Sequence, residues 1–150
     1  AGQGQQHRGE QVQVARWEDA TGAGFVRLWL TPAYPEELGL VHYTRDFLIE
    51  RERLLVRDTV VLDEPRQLSW LFQGKEEYGV ALEGLTGSFG SRRTVRVTPR
   101  APEVSFTAQV GRTPVVFSYA SASGFKPFRH VRYDAEQAVR QVVAEFEVRW

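Results

Sequence analysis

Cysteine and methionine are both absent from the 150 residues. Without cysteine there is no disulfide framework and no thiolate chemistry, and nothing points to a redox compartment. The missing methionine extends to position 1, so the chain is expected to be a processed or excised piece of a longer protein, in which any activity need not reside here. No apolar run approaches the ~18 residues of a membrane-spanning helix. The opening "AGQGQQHRGE" lacks the hydrophobic stretch of a signal peptide. Excess charge is lacking too: 19 basic and 19 acidic residues leave a formal net charge of +0. Bulk capture of nucleic acid or of an acidic membrane surface is therefore not expected, although a local basic groove stays open.

What the chain has in abundance is alternation of period two. Segments such as "FVRLWL" (25–30), "LVHYTRDFLI" (40–49), "RLLVRDTVVL" (53–62) and "RQLSWLF" (66–72) follow one another, joined by turn-rich "ATGAG", "TPAYPEELG" and "LDEP". Further strands are expected at 12–17, 78–84, 93–99, 104–110, 114–120, 128–134 and 141–150. The glycine-rich "GLTGSFGSRR" reads as a long flexible loop. "YDAEQAVRQVVAEF" tempts a helical reading, but Val142, Ala144, Phe146, Val148 and Trp150 alternate as in a closing strand. The pattern predicts one all-β domain over 1–150, an antiparallel sandwich of about ten to eleven strands.

One hairpin raises a question of its own. Folding "RDFLIERERLLVRDTVVL" (45–62) about Arg51 and Glu52 sets Tyr43 against Val60, Phe47 against Val56, Ile49 against Leu54 and Val41 against Leu62 on an apolar face. On that same face Arg45 meets Asp58. The opposite face pairs Glu50 with Arg53 and Asp46 with Arg57, so a single register yields three opposite-charge pairs and no like-charge clash. A slip of one residue would break all three and invert both faces. Arg45 and Asp58 belong inside only as a pair, because a lone buried charge is too costly; the alternative is a wet position at a sheet edge. In either case the pair specifies register and is not a catalytic dyad.

Reactive groups are scarce. The three histidines, His7, His42 and His130, show no metal-binding spacing, and His42 and His130 read as strand residues. No nucleophile elbow, phosphate loop or dinucleotide fingerprint is present. The acidic doublets Glu36-Glu37, Asp63-Glu64 and Glu76-Glu77 read as solvated loop charges rather than an acid/base pair. Arg92, Arg93, Arg96 and Arg100, with Trp17, Trp29, Tyr34 and Trp70, would suit an anionic sugar polymer, although aromatics at strand spacing belong more often to a core.

Taken in order, "GQGQ" (2–5), "LTPAYP" (30–35), "YTRDFLIERERLLVRDTV" (43–60) and "PRQLSWLFQ" (65–73) resemble the C-terminal β-sandwich of heparinase II/III-like polysaccharide lyases. The resemblance is strongest over residues 2–73. It implies a bacterial, periplasmic or extracellular parent enzyme in which an N-terminal (α/α) toroid, absent here, and this sandwich enclose a cleft. It implies β-elimination of a uronate-containing polysaccharide, glycosaminoglycan or alginate-like, with the isolated sandwich inactive. Tyr34 matches a tyrosine that faces the cleft in some members, and Tyr34 and His42 become the substrate-facing candidates. Some members hold a structural zinc through a His/Asp/His set; here His42 would stand for the last ligand and Asp19 for the aspartate, with the first histidine upstream. The competing function is a carbohydrate-binding or adhesion sandwich with Trp17, Trp29 or Trp70 as a sugar platform.

Overall fold

The computed structural model describes residues 13–18, 20, 22–75, 79–90, 94–100, 104–113 and 128–150. Eleven strands lie among them: β1 (Gln13–Glu18), β2 (Gly24–Trp29), β3 (Leu40–Glu50), β4 (Arg53–Arg66), β5 (Ser69–Lys75), β6 (Gly79–Glu83), β7 (Thr86–Gly90), β8 (Thr94–Pro99), β9 (Phe106–Thr113), β10 (Phe128–Ala135) and β11 (Val139–Arg149). An eight-stranded sheet runs in the order β1-β2-β3-β4-β11-β8-β7-β6, and a three-stranded sheet β5-β10-β9 packs on it. Every pairing is antiparallel. This is the all-β sandwich that the alternating pattern predicts. No described helix is long and apolar enough to cross a membrane.

The β3–β4 hairpin has the expected register from Tyr43 opposite Val60 down to Glu50 opposite Arg53. It departs at its open end, where a bulge at Val41 sets Leu40 against Leu62. Val41 is thereby turned out to 62% exposure, while Leu62 stays in the core. The extra residue rotates the strand locally, so alternation cannot be carried through it. Gly39 starts this irregularity with a left-handed backbone, φ 63°. A Cβ there would collide with the Asp63 carboxylate, and Asp63 N–H donates to the Gly39 carbonyl at 2.9 Å. Only glycine meets both conditions.

Three further expectations need correction or placement. "LDEP" is no turn: β4 runs through it to Arg66, opposite an irregularity in β11. The segment "GLTGSFGSRR", read as a loop, contains β7, hairpinned to β6 and paired with β8. Its glycines are packing devices, because a Cβ on Gly87 would strike Val131 and the Tyr133 hydroxyl. The strand expected at 114–120 lies outside the described residues.

The core fills the space between the sheets. Phe146 of β11 is fully buried, with ring centroids at 5.8 Å from Trp70, 5.0 Å from Phe72, 5.7 Å from Phe106 and 5.3 Å from Tyr133. Trp70 and Phe72 bring β5 over β4 and β11, and β9 and β10 approach β6. Among the described residues, the short sheet thus leaves β1, β2 and much of β3 uncovered. Val14 on that overhang is 60% exposed, and Val26, Leu28 and Phe47 are half-buried.

Tyr133 ties the layers together. Its hydroxyl donates to the Val97 carbonyl at 2.9 Å and accepts from Gly87 N–H at 3.2 Å. Burial pushes the phenol up to about 12. The fold therefore prefers the neutral phenol, so this stabilisation is fully present below the unfolded value near 10 and is lost as pH rises through about 12. Urea midpoints recorded from pH 9 to 12 should fall, with about 2–3 kcal/mol attributable to Tyr133. A flat profile over that range would contradict this role.

Among the described residues, the outer face of the large sheet is finished by charge rather than by a second layer. Arg27 holds Asp46 at 2.6 and 2.7 Å, and Arg57 holds Glu145 at 2.5 Å. The expected Asp46–Arg57 pair is therefore corrected. The two residues do lie opposite each other, but each is bound by its other neighbour in a row that crosses β2, β3, β4 and β11. A third charged group surrounds Glu147, which Arg149 meets at 2.7 Å, Arg100 at 3.0 Å and Arg53 at 3.6 Å. Arg53 also holds Glu50 as expected. Each exposed pair contributes little, ~0–1 kcal/mol. Collectively the arginine stems lie over the strands, which explains how Asp46 and Glu147 are buried on a solvent face.

Candidate functional site

Arg45 and Asp58 meet on the inner face, as the hairpin register requires. Arg45 Nε donates to Asp58 Oδ1 and Nη2 to Oδ2, both at 2.7 Å, in a bidentate fork. Asp58 is 0% exposed. Its Oδ2 also accepts from Trp70 Nε1 at 2.9 Å and from the Tyr43 hydroxyl at 3.3 Å. Four donors from two strands, β3 and β5, therefore saturate one carboxylate, which meets the condition for burying a charge. The guanidinium is only partly covered, its side chain 33% exposed.

Position along the sheet explains the asymmetry. Across the strands the inner-face row runs Val14, Leu28, Arg45, Asp58, Ala144. Trp70 of the short sheet closes over Asp58, whereas Arg45 stands at the step where that cover ends.

The "TPAYP" segment is pinned beside this step. Leu30 N–H donates to the Tyr43 carbonyl at 2.8 Å, and Tyr43 N–H donates to Thr31 Oγ1 at 2.8 Å. A single 3₁₀ turn over Thr31–Ala33 follows, with Pro32 inside its first turn and Ala33 buried. Tyr34 then leaves in extended conformation, and its ring centroid lies 5.6 Å from that of Tyr43. Arg45 in turn lies over the Tyr43 ring at 5.9 Å. Tyr34 and Arg45 thus flank one aromatic ring.

The electrostatics argue against proton transfer inside the cluster. Burial raises the Tyr34 phenol above its usual range, against the opposing pull of Arg45. Tyr43 is raised further, first by burial and then by the Asp58 charge. For Arg45, burial lowers the value, but the hydrogen bonds and charge of Asp58 outweigh it and the net direction is up. At neutral pH both phenols are protonated and the guanidinium is charged, so Tyr34 can donate a hydrogen bond but does not present a phenolate base.

The other candidates separate from this group. His42 is half-buried on β3, opposite Val61 and on the alternate face from Tyr43, so it is not brought together with Tyr34. Asp19, like His7, Arg92 and Arg93, lies outside the described residues. Among the described residues no cluster of three or more His, Cys, Asp or Glu could hold a metal. The described part of the zinc set is one imidazole, which does not make a zinc site. His130 faces Gly111 across β9, and burial, then Arg132, lowers its value. Trp70 is core and cannot be a sugar platform, whereas Trp17 is 57% exposed on β1, directly opposite Phe25. A groove of about 500 Å³ lies at that end of β2, lined by Arg16, Glu18, Gly24, Val26 and Ile49 among others, and away from Tyr34. Tyr43 and Trp70 are the cluster members that sequence reasoning missed. The available signal was that a buried carboxylate needs more donors than one arginine, and tyrosine and tryptophan are the apolar residues that supply them.

No family model and no curated protein matches the chain. Solved structures do. Heparan sulfate lyase HepC from Pedobacter heparinus superposes with a TM-score of 0.65 at 17% identity over 92% of this chain. Heparinase III, the BT4657 gene product, gives a TM-score of 0.62 at 10% identity, again over 92% of this chain. The chain spans 21% of the length of each. It therefore has the fold of one segment, about a fifth in length, of heparan sulfate lyase HepC and of heparinase III.

Proposed function

We propose that the chain is the C-terminal sandwich of a bacterial polysaccharide lyase acting on uronate-containing polymers in the periplasm or outside the cell. Its work there is to brace an N-terminal toroid and to form one wall of the substrate cleft. The observation that carries this reading is the likeness to heparan sulfate lyases over nearly the whole chain, combined with how little of those enzymes it spans. The step beside β5, with Tyr34 and Arg45 at its foot and the uncovered strands beyond, is a suitable wall for such a cleft. In the elimination itself a base removes the proton at C5 of the uronate, the C5 electron pair forms the C4–C5 double bond, the C4–oxygen bond breaks, and an acid protonates the departing oxygen. The Tyr34–Tyr43–Arg45–Asp58–Trp70 cluster supplies a neutral donor at Tyr34 and no base, so in this reading the proton abstraction is assigned to the toroid.

The isolated chain, mixed with heparin, heparan sulfate and alginate, should release no unsaturated uronate detectable by ultraviolet absorbance. Turnover by the chain alone would overturn this division of labour. The exposed Trp17 opposite Phe25 favours a second reading, a carbohydrate-binding module. Sugar affinity in isolation that is lost in Trp17→Ala and retained in Tyr34→Phe would select it.

A further inference from the structure

We propose that the outer face of the eight-stranded sheet docks onto an anionic phospholipid membrane. A cross-strand row of arginines takes the lipid phosphates, and an adjoining apolar row enters the headgroup layer. The inference is independent of the lyase reading and starts from the register. Across β4, β11 and β8, Arg53, Arg149 and Arg96 stand directly opposite one another on the outer face. Like charges in such positions destabilise a sheet. Glu147, shared by Arg53 and Arg149, offsets part of that repulsion. Arg96 is exposed and has no hydrogen-bond or ion-pair partner among the described residues. Folding alone gives no reason for a third arginine in this row, whereas an anion that bridges Arg96 and Arg149 does.

The next row on the same face is apolar. Trp17, Phe25, Leu48 and Leu55 oppose one another across β1, β2, β3 and β4, with Trp17 57% and Leu48 37% exposed. Arg27 lies over the Phe25 ring at 5.6 Å from the far side of that row. The acids of this face sit mostly beneath the arginines. The Asp46 and Glu147 side chains are 10% and 7% exposed, against 41% for Arg27 and 60% for Arg149. Glu50, at the β3 end of the arginine row, is held by Arg53. The layer presented outward is therefore rich in guanidinium although the whole chain is neutral. Arginines beside tryptophan and leucine match a lipid–water interface, where phosphates meet the first acyl carbons. A soluble polyanion would use the guanidiniums and leave the apolar row in water.

The test measures partitioning of the 150-residue chain onto vesicles by co-sedimentation. Vesicles of equal parts phosphatidylglycerol and phosphatidylcholine should capture it, and phosphatidylcholine alone should not. Salt at about 1 M, where the screening length falls to about 3 Å, should release it. Arg96→Gln removes no ion pair within the fold, so it should weaken partitioning about fivefold with the thermal midpoint unchanged. Trp17→Ala should weaken it about fivefold or more. Leu71→Ser, at an exposed position on the far side of the short sheet, should leave it unaltered. No capture by phosphatidylglycerol vesicles, equal capture by phosphatidylcholine, or undiminished capture of Arg96→Gln or of Trp17→Ala would overturn the inference. Saturable heparin binding that Arg96→Gln weakens, without capture by vesicles, would assign the row to a soluble polyanion and overturn the lipid docking.

Discussion

Asp58→Ala is expected to destabilise the chain by about 3–5 kcal/mol, because it strands a partly covered guanidinium together with the Trp70 and Tyr43 donors. For a domain of this size that corresponds to a fall of roughly 6–20 °C in the thermal midpoint. The matching double replacement Arg45→Met/Asp58→Leu should recover most of the loss and lie within about 1–2 kcal/mol of the parent. The contrast separates a penalty for broken pairing from intrinsic stabilisation by the pair. Urea denaturation of the parent, the single and the double variants provides the numbers. A single-variant loss below about 1 kcal/mol would mean that Asp58 is not the saturated, buried carboxylate described.

Phe146→Ala should cost about as much, 3–5 kcal/mol, by a different mechanism. Phe146 is the ring that four other aromatics from β5, β9 and β10 contact, so its removal opens a cavity at the junction of the two sheets. None of its neighbours can fill that space without leaving its own contacts. Loss of near-ultraviolet circular dichroism in the variant, with the strand signal retained, would show the sheets loosened from each other. An effect under about 1 kcal/mol would place the core elsewhere.

Much of this molecule is legible before folding because its hairpin over-determines itself. Apolar alternation and opposite charges over residues 43–60 agree on one register, and the structure adopts it. Legibility fails where a local rule depends on non-local neighbours. Nothing in "LGLVHY" announces that Val41 is a bulge, since the cause is the Asp63 side chain lodged against Gly39 from across the hairpin. Strand β7 was hidden because Gly87 and Gly90 score as loop, yet Gly87 is where Tyr133 and Val131 press against the backbone. Asp46 and Arg57 do oppose each other, yet each is bound by its other neighbour, for a third reason. Opposition in a ladder gives two neighbours to each inner strand, and a two-strand view cannot know that Arg27 and Glu145 complete the row.

The site divides in the same way. Arg45 and Asp58 follow from the register, and their partners Tyr43 and Trp70 require the sandwich to be closed. Tyr34 entered through family resemblance, and the structure contributes its neighbours: a tyrosine ring and a guanidinium at the end of a covered core. His42 shows the opposite outcome. Its closeness in sequence to the pair conceals that alternation sends it to the other face of the sheet.

The most direct test is to assay a longer protein that carries these 150 residues, intact and with them deleted, on uronate polymers. Unsaturated uronate should accumulate with the intact protein and fall to background on deletion. Full turnover without the sandwich, or none by the intact protein on heparan sulfate, heparin or alginate, would contradict the assignment of this fold to a lyase cleft.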